Sequence, residues 1–194
     1  MNPKSLYRAA LLEYLYCASF TADPAEARAA YRTYRQFAKK GCPDGWFCLG
    51  RTRQYGYGVK PNPEKAEKYY RRAAKNGHAD AQRALGYCYE KGLGLPENHA
   101  KARKWYARAA LQADATACNN MGFLYYNGKG VRRSKSLAKK WYKLAARAGS
   151  ILALSNLGVL YEDAGRLKKA VRYYRRAAET GNKYAAKQLK RLDK

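Results

Sequence analysis

The chain has 194 residues, and its 40 Lys and Arg against 14 Asp and Glu give a formal net charge of +26 at pH 7. Hydrophobic residues make up 47% and aromatic residues 13% of the chain, a composition typical of a folded globular protein rather than of a disordered one. No run of about 18 apolar residues is present, so the sequence predicts no membrane-spanning helix. The excess of cations favours partners that carry negative charge.

The N-terminal stretch fits a repeat helix better than a secretory leader. An apolar segment over residues 9–22 follows Lys4 and Arg8, as in a signal peptide, but Glu13 interrupts it. We therefore expect a cytoplasmic protein, with a secreted or periplasmic location as the less favoured alternative.

Residues 1–41 are predicted to form a divergent first repeat of two helices, over residues 5–20 and 25–40. Three positions of the second helix recur 36 residues later, Ala30 as Ala66, Tyr34 as Tyr70 and Ala38 as Ala74. A spacing of four residues places these side chains on one face of a helix.

The same period of 36 residues continues along the chain. Glycines that follow a large apolar residue mark it at Leu49-Gly50, Leu85-Gly86, Met121-Gly122 and Leu157-Gly158. Three repeats continue with a Gly-x-Gly-aliphatic turn, which begins at Gly56, Gly92 and Gly128. Paired aromatics follow at Tyr69-Tyr70, Trp105-Tyr106, Trp141-Tyr142 and Tyr173-Tyr174. A fixed period of this length indicates an array of stacked repeats.

Each repeat is predicted to hold two helices, which we call helix A and helix B. Residues 80–91 place apolar side chains at spacings of three and four, typical of an amphipathic helix A. The glycines of the following turn end it, because glycine adopts positive φ angles readily. The first complete helix B begins at Asn62, whose side chain can cap it, with Pro63 at the first helical position, and it stops at Gly77.

These motifs resemble the Sel1-like repeat family, relatives of the tetratricopeptide repeats. The matching residues are the Leu-Gly-x-x-Tyr of helix A, the Gly-x-Gly-Val turn and the Lys-Ala-x-x-Trp-Tyr-x-x-Ala-Ala of helix B. The resemblance implies an all-α fold, a right-handed α-solenoid of about five helix-turn-helix repeats in a single domain over residues 1–194. Two departures from the pattern, Arg53 and Ala113, are expected to alter local packing without changing the fold.

The expected segments follow the same register. They are the divergent repeat at 1–41, Sel1-like repeats at 42–77, 78–113 and 114–149, a repeat at 150–181 and a C-terminal capping helix at 182–194. The repeat at 150–181 lacks the Gly-x-Gly insertion, so its spacing is closer to that of a tetratricopeptide repeat.

The cysteines and histidines predict neither a disulfide framework nor a metal site. Five cysteines form no recurring pair, which favours buried thiols in a reducing compartment: Cys17, Cys42, Cys48, Cys88 and Cys118. No Cys-x-x-Cys is present, and His78 and His99 are predicted to be ordinary turn residues. We expect no metal and no cofactor.

Basic residues align in columns on helix B. Offsets of 0, 3 and 4 residues share one helical face. We call the following twelve residues the basic stripe: Arg32, Arg35, Lys68, Arg71, Arg72, Lys104, Arg108, Lys140, Lys143, Arg172, Arg175 and Arg176. The stripe is either a surface for a polyanion or an acidic partner, or a solvated face that reflects nothing more than a basic composition.

Helix A is predicted to line a concave groove in which aromatic side chains alternate with polar ones. Its candidate binding residues are Phe47, Arg51, Gln54, Arg83, Tyr87, Glu90, Asn119, Phe123 and Tyr126. This composition suits a peptide segment and also the stacking of single-stranded nucleic acid. The alternative is that several of the aromatics, notably Tyr87 and Phe123, pack between helices.

The favoured hypothesis is a non-enzymatic protein–protein interaction scaffold whose groove holds a protein segment and whose basic stripe meets an acidic partner or an anionic membrane surface. The sequence has no catalytic motif such as Gly-x-Ser-x-Gly or His-Glu-x-x-His, and no small-molecule substrate is expected. The alternative is a solenoid that binds RNA or DNA through the same stripe.

Overall fold

The computed structural model describes residues 24–192, which form ten α-helices and no strand. Helix accounts for 76% of these residues. In chain order the helices are α1 (Pro24–Lys39), α2 (Pro43–Tyr55), α3 (Pro63–Lys75), α4 (Ala79–Lys91), α5 (His99–Leu111), α6 (Ala115–Asn127), α7 (Lys135–Arg147), α8 (Ile151–Glu162), α9 (Leu167–Glu179) and α10 (Lys183–Leu192). The predicted all-α repeat fold is confirmed. The helix predicted at residues 5–20 lies outside the described residues.

The helix boundaries follow from local capping chemistry. Asn62 accepts a hydrogen bond from the backbone N–H of Lys65 at 2.8 Å, with Pro63 as the first residue of α3. At the other end of the A helices, Gly56, Gly92 and Gly128 adopt left-handed conformations and cap α2, α4 and α6. Both signals were legible in the sequence, and both predictions are confirmed.

The helices form two compact units, one up to Asn98 and one from His99 onward. Within each unit, helices that are consecutive in the chain pack against one another, and α10 contacts both α8 and α9. That contact places α10 against the last repeat, and its role as a capping helix stays a prediction. The single domain over residues 1–194 stays a prediction.

One tyrosine from each B helix forms the centre of the packing. Each of these rings is no more than 2% exposed: Tyr34, Tyr70, Tyr106, Tyr142 and Tyr174. The preceding aromatic of each pair is half-buried at Tyr69, Trp105, Trp141 and Tyr173. The paired aromatics therefore divide between the core and the surface of helix B.

The histidines differ from the prediction. His99 is the first residue of α5 rather than a turn residue. His78 lies in a turn but caps α4, because its Nδ1 accepts a hydrogen bond from the N–H of Ala81 at 3.3 Å. Its Nε2 also lies 3.4 Å from Asp44 Oδ1.

The cysteines within the described residues are free and buried, as predicted: Cys42, Cys48, Cys88 and Cys118. Burial raises the pKa of Cys48 and of Cys88 to about 12, so both thiols are protonated at neutral pH. Cys17 lies outside the described residues.

Candidate partner-binding surfaces

Helices α2, α3 and α4 build a cleft of about 180 Å³, which we call the first cleft. Its walls consist of Phe47, Arg51, Gln54, Tyr55, Tyr70, Arg83, Ala84 and Tyr87. Five of the nine predicted groove residues thus meet in one place. Tyr55 and Tyr87 are 54% and 42% exposed, so two aromatic rings are available at its edge.

The polar groups of the first cleft are held in fixed positions. Tyr70 donates a hydrogen bond from its hydroxyl to Gln54 Oε1 at 2.6 Å, and burial raises the pKa of Tyr70 far above its usual range. Because the amide oxygen of Gln54 is engaged, its amide nitrogen is the group left to meet a ligand. The guanidinium of Arg51 lies 5.6 Å from the centre of the Tyr55 ring.

Arg83 brings the second positive charge of the first cleft. It donates a hydrogen bond from Nη2 to Asp80 Oδ1 at 2.5 Å, and Asp80 itself does not line the cleft. No carboxylate lies among the lining residues. Two arginines less Asp80 leave a charge of +1, so the first cleft is both aromatic and cationic.

A second cleft of about 130 Å³ lies in the other compact unit. It is lined by Phe123, Tyr126, Asn127, Tyr142, Asn156 and Val159, and so contains two more predicted groove residues. Lys129 and Arg133 lie over the Phe123 and Tyr126 rings, at 5.6 and 5.9 Å from the ring centres. Burial, together with a hydrogen bond to Asp163, raises the pKa of Tyr126 to about 12.

The remaining two predicted groove residues line neither cleft. Glu90 and Asn119 are both 7% exposed. Lys91 Nζ lies 2.9 Å from Glu90 Oε1, and Asn119 Oδ1 accepts a hydrogen bond from Asn156 at 2.8 Å. Their positions on helix A are those of the other groove residues, but packing buries them.

Sequence reasoning missed several lining residues, among them Tyr55, Tyr70 and Asn156. Tyr70 belongs to the buried column of helix B, and its hydroxyl bonds to Gln54 in the first cleft. Tyr55 is the last residue of α2 and could have been found by extending the groove pattern by one position. The sequence carries no comparable signal for Asn156.

The basic stripe divides between the compact units, with five residues in the first and seven in the second. Eleven of the twelve side chains are exposed. Arg71 is the exception, because it donates from Nε to Glu67 Oε1 at 2.7 Å and from Nη2 to the Tyr89 hydroxyl at 3.0 Å. Glu67 is only 6% exposed. Arg71 is therefore part of the internal packing as well as of the stripe.

Indole rings lie beside some of the stripe cations. The guanidinium of Arg108 lies 4.5 Å from the centre of the Trp105 ring, and that of Arg72 lies 5.5 Å from the Trp46 ring. Cations over aromatic faces are less free to move than isolated lysines.

No helix within the described residues is long and apolar enough to cross a bilayer. The same residues contain no group of three or more His, Cys, Asp or Glu side chains placed to hold a metal ion.

These features define a helical-repeat protein that presents clefts on its A helices and cations on its B helices. The Sel1 repeat model matches it four times, at residues 49–78, 79–114, 115–150 and 151–182. The chain belongs to the Sel1 repeat family. Members of this family are generally protein–protein interaction scaffolds and are typically non-catalytic.

Solved structures support the same family assignment. The chain is similar to a Sel1 repeat protein from Oxalobacter formigenes at 34% identity and a TM-score of 0.81, over 93% of this chain and 71% of that one. It is also similar to c5321, a protective antigen of uropathogenic Escherichia coli with an SLR fold, at 32% identity and a TM-score of 0.78 over 82% of this chain. The chain spans only 35% of c5321.

A more distant relative is the cysteine-rich protein B of Helicobacter pylori, at 26% identity and a TM-score of 0.54. That match covers 69% of this chain and 96% of the other. A search of curated proteins gave no match.

Proposed function

We propose that this protein is a non-enzymatic scaffold that holds a segment of a partner protein in the first cleft. The observation that carries this proposal is the meeting of Arg51, Arg83 and the Gln54 amide with exposed aromatic rings in a cleft without a carboxylate. Guanidinium groups bind carboxylates in paired hydrogen bonds, and aromatic rings cover apolar side chains at little cost in conformational entropy. The segment expected to bind has an acidic side chain next to an apolar one.

The positive charge of the basic stripe extends the proposal to a second surface. The exposed cations of the basic stripe would meet an acidic region of the partner and accelerate its encounter. An anionic membrane surface would satisfy the same cations less specifically. We propose a cytoplasmic location, because the cysteines of the described residues are buried and free.

A peptide-display selection on the purified chain at physiological salt tests the first cleft. The selected peptides should be rich in Asp or Glu beside an apolar residue. Binding of a selected peptide should weaken at least tenfold, roughly 1.4 kcal/mol, in an Arg51→Gln, Arg83→Gln double variant.

The charge-matched control is an Arg28→Gln, Lys39→Gln variant, which removes two exposed cations of the first compact unit that do not line the first cleft. Its binding should equal that of the wild type. If the Arg51→Gln, Arg83→Gln variant binds the selected peptides as tightly as the control does, the first cleft is not the binding site.

A second candidate function is the binding of RNA or DNA by the basic stripe. It is favoured by the exposure of eleven of the stripe side chains and by the indole rings beside Arg72 and Arg108. If the stripe contacts six to ten phosphates, raising the salt concentration from 50 to 200 mM would weaken binding by a factor on the order of a thousand or more.

Electrophoretic mobility shift with single- and double-stranded RNA and DNA separates the two functions. RNA binding that persists at physiological salt and is lost on charge reversal of Lys68, Lys104 and Lys140 would replace the scaffold proposal. No shift at that salt concentration, together with a selected acidic peptide in the first cleft, would exclude the second candidate.

A further inference from the structure

In the repeats that carry a Gly-x-Gly turn, the turn covers the first turn of the preceding B helix. A Cβ placed on Gly94 would lie 2.3 Å from the carbonyl oxygen of Pro63, at the start of α3. One placed on Gly130 would lie 2.6 Å from the carbonyl carbon of His99, at the start of α5. The second glycine is thus required by backbone contact between neighbouring repeats as well as by its φ angle of 73° or 65°.

The turn between α8 and α9 does not make this contact. It has four residues, 163–166, where the turns after α2, α4 and α6 have seven. Gly165 has a φ of 66°, but a Cβ placed on it would meet nothing within 4 Å. The start of α7, which the missing residues would cover, is left open.

A cavity of about 310 Å³ lies in this position, and we call it the α7 cavity. It is lined by Lys135, Ser136, Lys139, Leu160, Tyr161, Ala164 and Arg166. All of these residues belong to the second compact unit.

The α7 cavity is strongly positive. Lys135 and Lys139 approach it from α7 and Arg166 from the short turn, and none of the lining residues is acidic. The nearest carboxylate that contacts one of them is Asp163, whose Oδ2 lies 3.4 Å from Lys135 Nζ. A hydrogen bond from Tyr126, and then Lys135, holds the pKa of Asp163 below its usual range, so it remains ionised. The three cations among the lining residues, less this one carboxylate, leave a charge of +2. Lys169 adds a further cation nearby, since its Nζ lies 5.9 Å from the centre of the Tyr161 ring.

We propose that the α7 cavity binds a phosphate monoester. The charge of such a group is about −1.5 to −2 at pH 7, so it offsets more of the local positive charge than a single carboxylate does. The Ser136 hydroxyl and the arginine offer directed hydrogen bonds to phosphate oxygens. Leu160, Tyr161 and Ala164 supply an apolar wall for the organic part of the ligand. This proposal does not depend on the function proposed for the first cleft.

Isothermal titration of phenyl phosphate into the full chain at 150 mM salt tests the α7 cavity. Benzoate, which has the same ring and a single charge, should bind at least fivefold more weakly. An Arg166→Gln variant should bind phenyl phosphate at least tenfold more weakly than the wild type. Arg166 is exposed, so its loss should leave the fold intact.

The charge-matched control is Arg147→Gln, which lies on α7, is exposed and does not line the cavity. Equal loss of affinity in Arg147→Gln and Arg166→Gln would mean diffuse attraction and would overturn the proposal. Failure of phenyl phosphate to bind, or binding of benzoate as tight as that of phenyl phosphate, would do the same.

A second variant changes the shape of the cavity and leaves its charge as it is. Ala164→Leu at the exposed turn should fill part of the space and weaken phenyl phosphate binding at least threefold. Unchanged affinity in this variant would place the ligand outside the cavity.

The source of the phosphate is decided by a further titration. A phosphotyrosine hexapeptide that binds at least tenfold more tightly than phenyl phosphate would assign a phosphorylated protein segment. Equal affinities would assign a free organic phosphate, because the peptide backbone then adds nothing.

Discussion

The ring of Tyr70 lies directly against the backbone of Gly50, so that a Cβ placed on this glycine would be 2.5 Å from both Cδ1 and Cε1 of the ring. Gly122 has the same relation to Tyr142, and Gly158 to Tyr174, with the closest ring atoms at 2.5 and 2.4 Å. The glycine that marks the repeat period in the sequence is thus the surface on which the buried tyrosine of the next helix packs. None of these three glycines has a positive φ, so glycine is not needed there for a left-handed backbone. Its role is to let the tyrosine ring approach the helix backbone closely.

This contact predicts the effect of Gly122→Ala. Alanine would normally stabilise a helix by about 1 kcal/mol relative to glycine, but here the methyl group overlaps the Tyr142 ring and forces a backbone shift. We expect a net loss of about 2 kcal/mol in the free energy of unfolding, measured by urea titration. Thr116→Ala, at an exposed position of the same helix, should change it by less than about 0.5 kcal/mol. A more stable Gly122→Ala variant would show that the ring can move aside.

The backbone conformation of Ala113 predicts that Ala113→Gly stabilises the fold. It has a φ of 62°, a left-handed conformation that Gly77, Gly149 and Gly181 adopt at the equivalent ends of the other B helices. The alanine side chain makes this conformation about 1 kcal/mol less favourable than it is for glycine. Ala113→Gly removes this cost, but part of the gain in stability is offset by the greater freedom of glycine in the unfolded chain.

We therefore expect Ala113→Gly to raise the free energy of unfolding by about 0.5 kcal/mol. The control is Ala148→Gly, which lies next to Gly149 and has a negative φ of −82°. It should lower stability by a similar amount. Two variants that both lose stability would contradict the assignment of strain to Ala113.

Substitutions of Arg71 and Lys68, two residues of the basic stripe, are expected to differ in their effect on the free energy of unfolding. Arg71→Gln removes the cation bonded to the buried Glu67, and we expect a loss of about 1–3 kcal/mol in the free energy of unfolding. Lys68→Gln removes an exposed charge and should change stability by less than about 0.5 kcal/mol. A Glu67→Gln, Arg71→Gln double variant should recover part of the loss. Equal stability of the Arg71→Gln and Lys68→Gln variants would show that Glu67 does not need its partner.

The sequence predicted those parts of the fold that depend on local chemistry. The cap at Asn62 and the helix ends at Gly56 and Gly92 depend on residues a few positions away. Such local interactions can be predicted from the sequence alone. The buried tyrosine column was also predictable, because a period of 36 residues repeats the environment as well as the residue.

The sequence did not predict contacts that join different helices. Glu90 and Asn119 follow the groove pattern but are buried, and Arg71 follows the stripe but is bonded to Tyr89 of α4. The α7 cavity is an intermediate case. The missing Gly-x-Gly insertion was visible in the sequence, but the space that it leaves is known only once the start of α7 is placed beside the short turn.

The contact between His78 and Asp44 predicts a dependence of stability on pH. The hydrogen bond with His78, followed by a weaker one from the Cys42 thiol, lowers the pKa of Asp44 from 3.8 to about 2. A carboxyl group whose pKa is lower in the folded chain stabilises the fold above about pH 4, and this contribution is lost as the pH falls toward 2. Because the Asp44 side chain is 54% exposed, solvent screening limits the contribution to about 1 kcal/mol or less.

Urea titrations of the wild type and Asp44→Asn between pH 5 and 2.5 measure this contribution. The asparagine oxygen can still accept the bond from His78, but it carries no charge, so the variant should be less stable at pH 5 and should approach the wild type as the pH falls. Gln36→Ala changes an exposed, uncharged side chain of the same compact unit and serves as the control. Its pH profile should run parallel to that of the wild type. A parallel profile for Asp44→Asn as well would mean that His78 caps α4 without stabilising the Asp44 charge.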